Sequence, residues 1–104
     1  MIAEIILFSD INCTGSHTHV CVDTAHLNDQ NHGFFLSDFN DVTSSFIIIS
    51  GHWTFFKDWH FENQMGPGGG RTLGPGVYEW IEDSNKCLGP GTNDSLSSVK
   101  CVSA

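Results

Sequence analysis

One six-residue pattern occurs twice in the chain, once near the middle and once near the end. Residues 40–45 read Asn-Asp-Val-Thr-Ser-Ser and residues 93–98 read Asn-Asp-Ser-Leu-Ser-Ser, so both copies are Asn-Asp, two variable residues and Ser-Ser. A largely apolar stretch suited to a strand follows each copy. The fixed positions carry side-chain oxygens, the ligand type that a hard cation such as Ca²⁺ prefers. The pair therefore predicts a duplicated fold with an oxygen-rich turn in each half.

Aromatic residues extend this repeat towards the N-terminal part of each half. Phe8 and Phe56 each stand seven positions before a residue suited to a left-handed backbone at a hairpin bend, Gly15 and Asn63 respectively. A glycine-rich run at residues 66–70 lengthens the second half. Each half thus reads as an aromatic hairpin, a variable loop, an oxygen-rich turn and a closing strand, which suggests a Greek key. Two such units predict an all-β chain in which two Greek-key motifs pack as a β-sandwich.

Local patterns agree with an all-β fold. Long helices are not expected, because no stretch repeats apolar residues at helical spacing over three turns, and helical turns are predicted only near residues 27–31 and 82–86. The length of 104 residues suits one domain, with the first Greek key over about residues 1–51 and the second over about 52–104. Short runs rich in β-branched or aromatic residues and bounded by turn residues predict strands at residues 3–8, 17–22, 46–50, 53–56, 77–81 and 98–102.

The charge and the cysteine content limit which classes of partner and which cellular compartment the chain fits. Twelve acidic residues against four basic ones give a net charge of −8, which disfavours nucleic acid and anionic membranes and favours a cation partner or a plain soluble role. The apolar N-terminal segment carries Glu4 and has no basic residues at its start, so we expect a strand rather than a signal peptide. We therefore expect a cytoplasmic location unless export follows another route. We also expect a monomer. The sequence leaves three disulfide pairings or free thiols open for Cys13, Cys21, Cys87 and Cys101.

These motifs resemble those of the βγ-crystallin superfamily. Its Greek keys carry an aromatic residue, six residues and Gly, as from Phe8 to Gly15, and its calcium-binding microbial members carry Asn/Asp-Asn/Asp-x-x-Ser/Thr-Ser, as in both turns here. Residues 73–78, Leu-Gly-Pro-Gly-Val-Tyr, are similar to a stretch common in the microbial members, where the Tyr braces the key. The chain looks most similar to small single-domain microbial or fungal members. Asn63 in place of Gly and the glycine-rich insertion are departures from the family pattern.

The resemblance implies a paired clamp in which two loops share two Ca²⁺ ions. In each turn the first residue shapes the turn, the second gives a carboxylate, the third a main-chain carbonyl and the fifth a hydroxyl, while the residue after each hairpin aromatic adds a carbonyl. Few carboxylates per site imply micromolar affinity. Without an ion, the same residues would serve only as Asx turns and strand-entry hydrogen bonds. The positions carried over are Ser9, Asn40, Asp41, Val42, Ser44, Lys57, Asn93, Asp94, Ser95 and Ser97.

A pair of histidines and a set of tryptophans are two further candidate binding sites, with weaker support from the sequence. His17 and His19 share one face of a predicted strand and could bind zinc or copper, although two ligands are few and exposed strand histidines are common. Trp53, Trp59 and Trp80 could form a carbohydrate platform, although aromatic residues in a small sandwich more often fill the core.

No catalytic motif occurs, so we expect a non-enzymatic structural protein that binds calcium. The alternative is a toxin or protease inhibitor on the same fold, which would present the loop of residues 66–71 with Arg71, the only arginine of the chain. A lectin is a further alternative.

Overall fold

The computed structural model describes residues 2–23, 33–36, 39–58 and 61–103. These residues are mostly strands and turns, with two short 3₁₀ turns at Ile11–Cys13 and Pro67–Gly69. The strands are β1 (Ile2–Asp10), β2 (Thr14–Asp23), β3 (Gly33–Phe35), β4 (Ser45–Ser50), β5 (His52–Phe56), β6 (Gly76–Tyr78) and β7 (Ser98–Ser103).

The strands form two antiparallel sheets that exchange a strand between the halves of the chain. The first sheet has the order β2-β1-β4-β6 and the second has the order β3-β7-β5. Strand β3 of the first half therefore lies in the second sheet, where it pairs with β7, and β6 of the second half lies in the first sheet, beside β4. This exchange confirms the two Greek-key motifs and the all-β sandwich that the repeat predicts.

Every predicted strand is present, with some changes of bounds. Strand β6 ends at Tyr78, although the pattern predicts a strand to residue 81, because the Ile81 N–H donates to the Ser44 carbonyl and the chain turns away from the sheet. The turn predicted at residues 82–86 is present, closed by a 2.8 Å hydrogen bond from the Cys87 N–H to the Asp83 carbonyl. The turn predicted near residues 27–31 lies outside the described residues. Strand β3 is not among the predicted strands.

The two hairpins share their bends but differ in their returning strands. Gly15 and Asn63 have φ values of 84° and 58°, as the motif spacing predicts for left-handed positions. In the first half β2 pairs with β1 along its length. In the second half, within residues 61–75, β5 is met by isolated bridges from Gln64 and Leu73, on either side of the glycine-rich run. The insertion thus replaces a regular strand without removing the bend.

The core lies between the sheets and is built around aromatic rings. Trp53, Phe46 and Phe55 are fully buried. The Phe46 ring stacks on Phe55 at a centroid distance of 4.8 Å and on Tyr78 at 5.0 Å. The Trp53 indole N–H donates to the Ser50 carbonyl at 3.0 Å, which satisfies its one polar group inside the core.

The four cysteines are free thiols in the structure. Cys87 is buried, and desolvation raises its pKa from 9.0 to about 12 despite an opposing backbone hydrogen bond. Among the described residues, no helix is long and apolar enough to cross a bilayer.

Candidate functional site

The two Asn-Asp-x-x-Ser-Ser turns lie against each other. The Asp41 N–H donates to the Leu96 carbonyl at 2.9 Å, and the Asp94 N–H donates to the Thr43 carbonyl at 3.3 Å. In both cases the second residue of one turn bonds to the fourth residue of the other, so the two contacts use equivalent positions of the repeat. Two stretches far apart in sequence are thereby joined through their main chains.

The fifth residue of each turn ties it to the hairpin of its own half. The Ser44 N–H donates to the Phe8 carbonyl at 2.9 Å, and the Ser97 N–H donates to the Phe56 carbonyl at 3.0 Å. The aromatic residues that mark the hairpins in the sequence are therefore also the residues that anchor the turns.

The sixth residue of each turn has a structural role that the repeated pattern alone does not reveal. The Ser45 hydroxyl donates to the Asp10 carbonyl at 2.5 Å, and the Ser98 hydroxyl donates to the Asp58 carbonyl at 2.6 Å. Both serines are fully buried. A buried hydroxyl that donates to a main-chain carbonyl in this way is satisfied inside the protein and fixes the hairpin to the strand that follows the turn.

Side-chain oxygens of the two turns also meet across the contact. The Ser97 hydroxyl donates to Asp41 Oδ1 at 3.1 Å, and the Ser44 hydroxyl donates to Asn93 Oδ1 at 2.6 Å. Both hydroxyls are buried, while the Asp41 and Asp94 side chains are exposed. Each pair combines a hydroxyl with a carboxylate or amide oxygen from the opposite turn, which is a donor set that fits Ca²⁺.

The second position of each turn is also constrained by the backbone. Asp41 and Asp94 have φ values of 58° and 57°, in the left-handed region. Asn and Asp tolerate this region better than other residues with a β-carbon. The Asn/Asp preference at this position therefore has a conformational cause in addition to any role in ion binding.

The remaining predicted ligands lie beside these contacts. Ser9 occupies a β-bulge between Phe8 and Asp10 in the pairing of β1 with β2. Lys57 is exposed, and its N–H donates to the Asn63 carbonyl at 3.2 Å. Ser9 and Lys57 each directly follow the aromatic residue whose carbonyl anchors a turn. Their own carbonyls are therefore the next main-chain oxygens along the chain after the anchoring ones.

The other turn positions are partly shielded from solvent. Asn40, Val42 and Ser95 are half-buried. The Ser95 hydroxyl donates within its own turn, at 3.3 Å to the Asn93 carbonyl, which leaves the main chain of Ser95 as the candidate ligand.

Glu82 belongs to the site although sequence reasoning did not select it. Its half-buried carboxylate accepts a 2.9 Å hydrogen bond from the Asn93 N–H through Oε2. The only sequence signal is an acidic residue directly after Ile81, which anchors the chain to Ser44. No spacing in the sequence connects that acidic residue with the second turn.

The donors at the site are mostly neutral oxygens. Within the described part of the chain, no three His, Cys, Asp or Glu side chains group closely enough to hold a metal ion. An ion at the turns would therefore depend on hydroxyl, amide and carbonyl oxygens together with single carboxylates. This chemistry suits Ca²⁺ far better than a soft transition metal.

Two features proposed for other functions are used by the fold. The Arg71 guanidinium donates to the Cys87 carbonyl at 2.8 Å and to the Ser84 carbonyl at 3.3 Å, so it is held against the neighbouring turn. Trp53 is buried in the core, so the prediction of a surface platform made of the three tryptophans is wrong for Trp53. Trp80 is 38% exposed, and Trp59 lies outside the described residues.

Comparison with known proteins finds a family model and relatives that match nearly the whole chain. The family model described as Beta/Gamma crystallin matches residues 4–102. A β/γ-crystallin of Ciona intestinalis is 37% identical over 97 residues, covering 93% of this chain and 95% of the relative. A solved βγ-crystallin structure from the same organism superposes with a TM-score of 0.66 at 32% identity, covering 94% of this chain and 98% of that one.

Metal binding occurs among the structural neighbours. A transition-metal-ion-binding βγ-crystallin from Methanosaeta thermophila has a TM-score of 0.64 and 22% identity, covering 94% of this chain and 99% of that one. At this identity the similarity shows a shared fold.

Proposed function

The chain belongs to the βγ-crystallin family, and from this premise we propose that it is a non-enzymatic structural protein whose two turns bind up to two Ca²⁺ ions. The observation that carries the proposal is the reciprocal pairing of side-chain oxygens, Ser97 with Asp41 and Ser44 with Asn93. In each pair the hydroxyl comes from one half of the chain and its partner from the other. An ion at either pair would be shared by both halves.

The proposed ions would act on an interface that is already aligned. Main-chain bonds from Asp41 to Leu96 and from Asp94 to Thr43 hold the turns at contact distance. Binding therefore requires little reorganisation of the backbone, which lowers the entropic cost of forming the site. The ions supply positive charge to a chain with a net charge of −8.

The two proposed sites should differ in affinity. The Ser97 hydroxyl meets the Asp41 carboxylate, whereas the Ser44 hydroxyl meets the neutral amide oxygen of Asn93. A carboxylate attracts Ca²⁺ more strongly than an amide does. We expect the Ser97–Asp41 site to be the tighter one, with the other depending more on Asp94.

Calcium should stabilise the native state, because the paired oxygens exist only when the two halves are packed. Mass action gives about 2.7 kcal/mol when the free ion is a hundredfold above its dissociation constant. For a chain of this size that corresponds to a rise of about 10 °C or more in melting temperature. This ion-dependent stability is the function that the site supports best.

Calorimetric titration of calcium-free protein with CaCl₂, together with melting curves, tests the proposal. The wild-type protein should release or absorb heat in a saturable titration and melt at a higher temperature with calcium. Ser97→Ala should weaken the tighter site and Ser44→Ala the weaker one. Ser84→Ala removes an exposed hydroxyl outside the turns and serves as the matched control. Absence of heat and of any melting shift at millimolar calcium in the wild-type protein would refute the proposal.

A further inference from the structure

A surface cleft lies beside β6, where the second half of the chain meets the first hairpin. Its volume is about 230 Å³, and it is lined by residues 77–80, by Asp83, Lys86 and Cys87 of the following turn, and by Asn12 of the first hairpin. None of these residues belongs to the two Asn-Asp-x-x-Ser-Ser turns, so calcium binding gives the cleft no role. Sites for drug-sized ligands have roughly 300–1,000 Å³, so a cleft of this size suits a ligand of one small ring.

Trp80 gives the cleft an exposed aromatic surface, since it is 38% exposed. Tyr78, which also lines the cleft, is fixed to the core, because its ring stacks on Phe46 at a centroid distance of 5.0 Å and its hydroxyl donates to the Gly74 carbonyl at 2.7 Å. An indole presents a flat apolar face on which the C–H groups of a ring-shaped ligand can pack. The cleft therefore combines a rigid aromatic wall with an accessible one.

The polar side chains of the cleft carry both signs of charge. Glu79 and Asp83 supply carboxylates, Lys86 supplies an ammonium and Asn12 supplies a neutral amide. A cation would meet the ammonium of Lys86, and an anion would meet both carboxylates, so the set favours a neutral ligand. A hydroxyl both donates and accepts hydrogen bonds, so neighbouring hydroxyls of one ligand can satisfy a carboxylate and an ammonium or amide together. This combination of an aromatic face and mixed polar groups fits a sugar.

Hydrogen bonds hold the residues of the cleft in place. The Asn12 N–H donates to the Glu79 carbonyl at 2.8 Å, which joins the first hairpin to the residue after β6. The Asp83 N–H donates to the Trp80 carbonyl at 3.1 Å, and Asp83 Oδ1 accepts the Lys86 N–H at 3.2 Å. The turn uses Oδ1, so Oδ2 is the oxygen of Asp83 that can accept from a ligand. A site that is held in this way loses little entropy when it binds.

We propose that this cleft binds one neutral sugar ring, such as the terminal residue of a glycan. Trp80 packs against the face of the ring, and the side chains of Asp83, Lys86 and Asn12 bond to its hydroxyls. A single ring offers few atoms for contact, so a free monosaccharide should bind with a dissociation constant of roughly millimolar size. The cleft shares no residue with the calcium turns, so this inference does not depend on calcium binding.

An array of neutral glycans probed with the intact protein in excess calcium tests this site. Calorimetric titration then uses the methyl glycosides of glucose, galactose, mannose and N-acetylglucosamine, of which at least one should bind saturably. Trp80→Ala should weaken that binding by about 10-fold or more, as truncation of a Trp that anchors a ligand usually does. Trp80→Phe keeps a flat ring and should bind more tightly than Trp80→Ala.

Two further variants complete the test. Asp83→Asn keeps the Oδ1 that closes the turn but loses the carboxylate, and it should weaken sugar binding by about 10-fold. Val102→Ala is the control, because it removes an exposed apolar side chain from β7 in the other sheet and should leave sugar binding unchanged. Melting curves of each variant separate loss of binding from loss of structure.

Three outcomes would overturn the assignment. The first is a wild-type protein that binds no glycan on the array and none of the four glycosides. The second is saturable binding of choline chloride without binding of any sugar, which would make the cleft a site for cations. The third is sugar binding that Trp80→Ala leaves intact. If a calcium chelator abolishes such binding in the folded protein, the sugar is held by ions at the turns instead.

Discussion

Replacing Asp41 separates the conformational role of the turn from its role in ion binding. Asn at this position keeps a side chain that tolerates the left-handed φ of 58° and keeps an oxygen to accept the Ser97 hydroxyl, but it removes the negative charge. Ala at the same position removes both the acceptor and the favourable side chain. Asn therefore preserves the conformational role alone, and Ala preserves neither role.

The magnitudes follow from these contacts. Without calcium, Asp41→Asn should lower the free energy of unfolding by less than about 0.5 kcal/mol, as is usual for an exposed change that keeps its contacts. Asp41→Ala should lower it by about 2 kcal/mol, of which roughly 1 is the lost hydrogen bond and roughly 1 the left-handed backbone. With calcium in excess, Asp41→Asn should also lose much of the roughly 2.7 kcal/mol of ion-dependent stability.

Urea unfolding followed by tryptophan fluorescence measures these differences, since Trp53 is fully buried in the native state. Each variant is unfolded in a calcium chelator and again in excess calcium. Glu79→Gln is the matched control, because it removes one negative charge from an exposed position outside the turns. If Asp41→Asn destabilises the calcium-free protein as much as Asp41→Ala does, the charge itself holds the turn. If Asp41→Asn retains full calcium affinity, the carboxylate is not a ligand.

Other residues give three further predictions. Because burial raises the pKa of Cys87 from 9.0 to about 12, the unfolded chain loses this proton first. The contribution of Cys87 to stability should therefore be complete below pH 9 and be lost as the pH rises towards 12, so the stability difference between the wild-type protein and Cys87→Ala should shrink over that range in pH-dependent denaturation. Asn63→Ala should cost about 1–2 kcal/mol in chemical denaturation through its left-handed φ, whereas Asn63→Gly should cost less. Glu82→Ala should weaken calcium binding in calorimetry, since it removes the carboxylate that accepts the Asn93 N–H at the second turn.

The parts of the fold that the sequence predicts are those with a local conformational cause. Gly15, Asn63, Asp41 and Asp94 all adopt positive φ values, and only a few residue types do so at low cost. Positions of this kind leave a readable trace at fixed spacing, which is why the hairpin bends and both turns are found where the repeat puts them. The alternating β-branched and aromatic residues of the long strands leave a similar trace.

The parts that the sequence does not predict depend on partners far along the chain. Strand β3 has three residues and exists through its pairing with β7, so no local period reveals it. Glu82 reaches the site because the chain turns after Ile81, and its contact with Asn93 has no fixed spacing in the motif. The side-chain pairing of Ser44 with Asn93 likewise departs from the symmetry of the two identical patterns.

Calcium should stabilise this fold without being needed to form it. Main-chain and side-chain hydrogen bonds join the turns, and the Ser45 and Ser98 hydroxyls that anchor them are satisfied by protein carbonyls. None of these bonds uses an ion, and the aromatic core lies between the sheets rather than at the turns. The calcium-free protein should therefore keep the near-ultraviolet circular dichroism of the calcium-loaded protein and unfold cooperatively at a lower temperature. A calcium-free state without fixed aromatic packing would show instead that the ions hold the two Greek keys together.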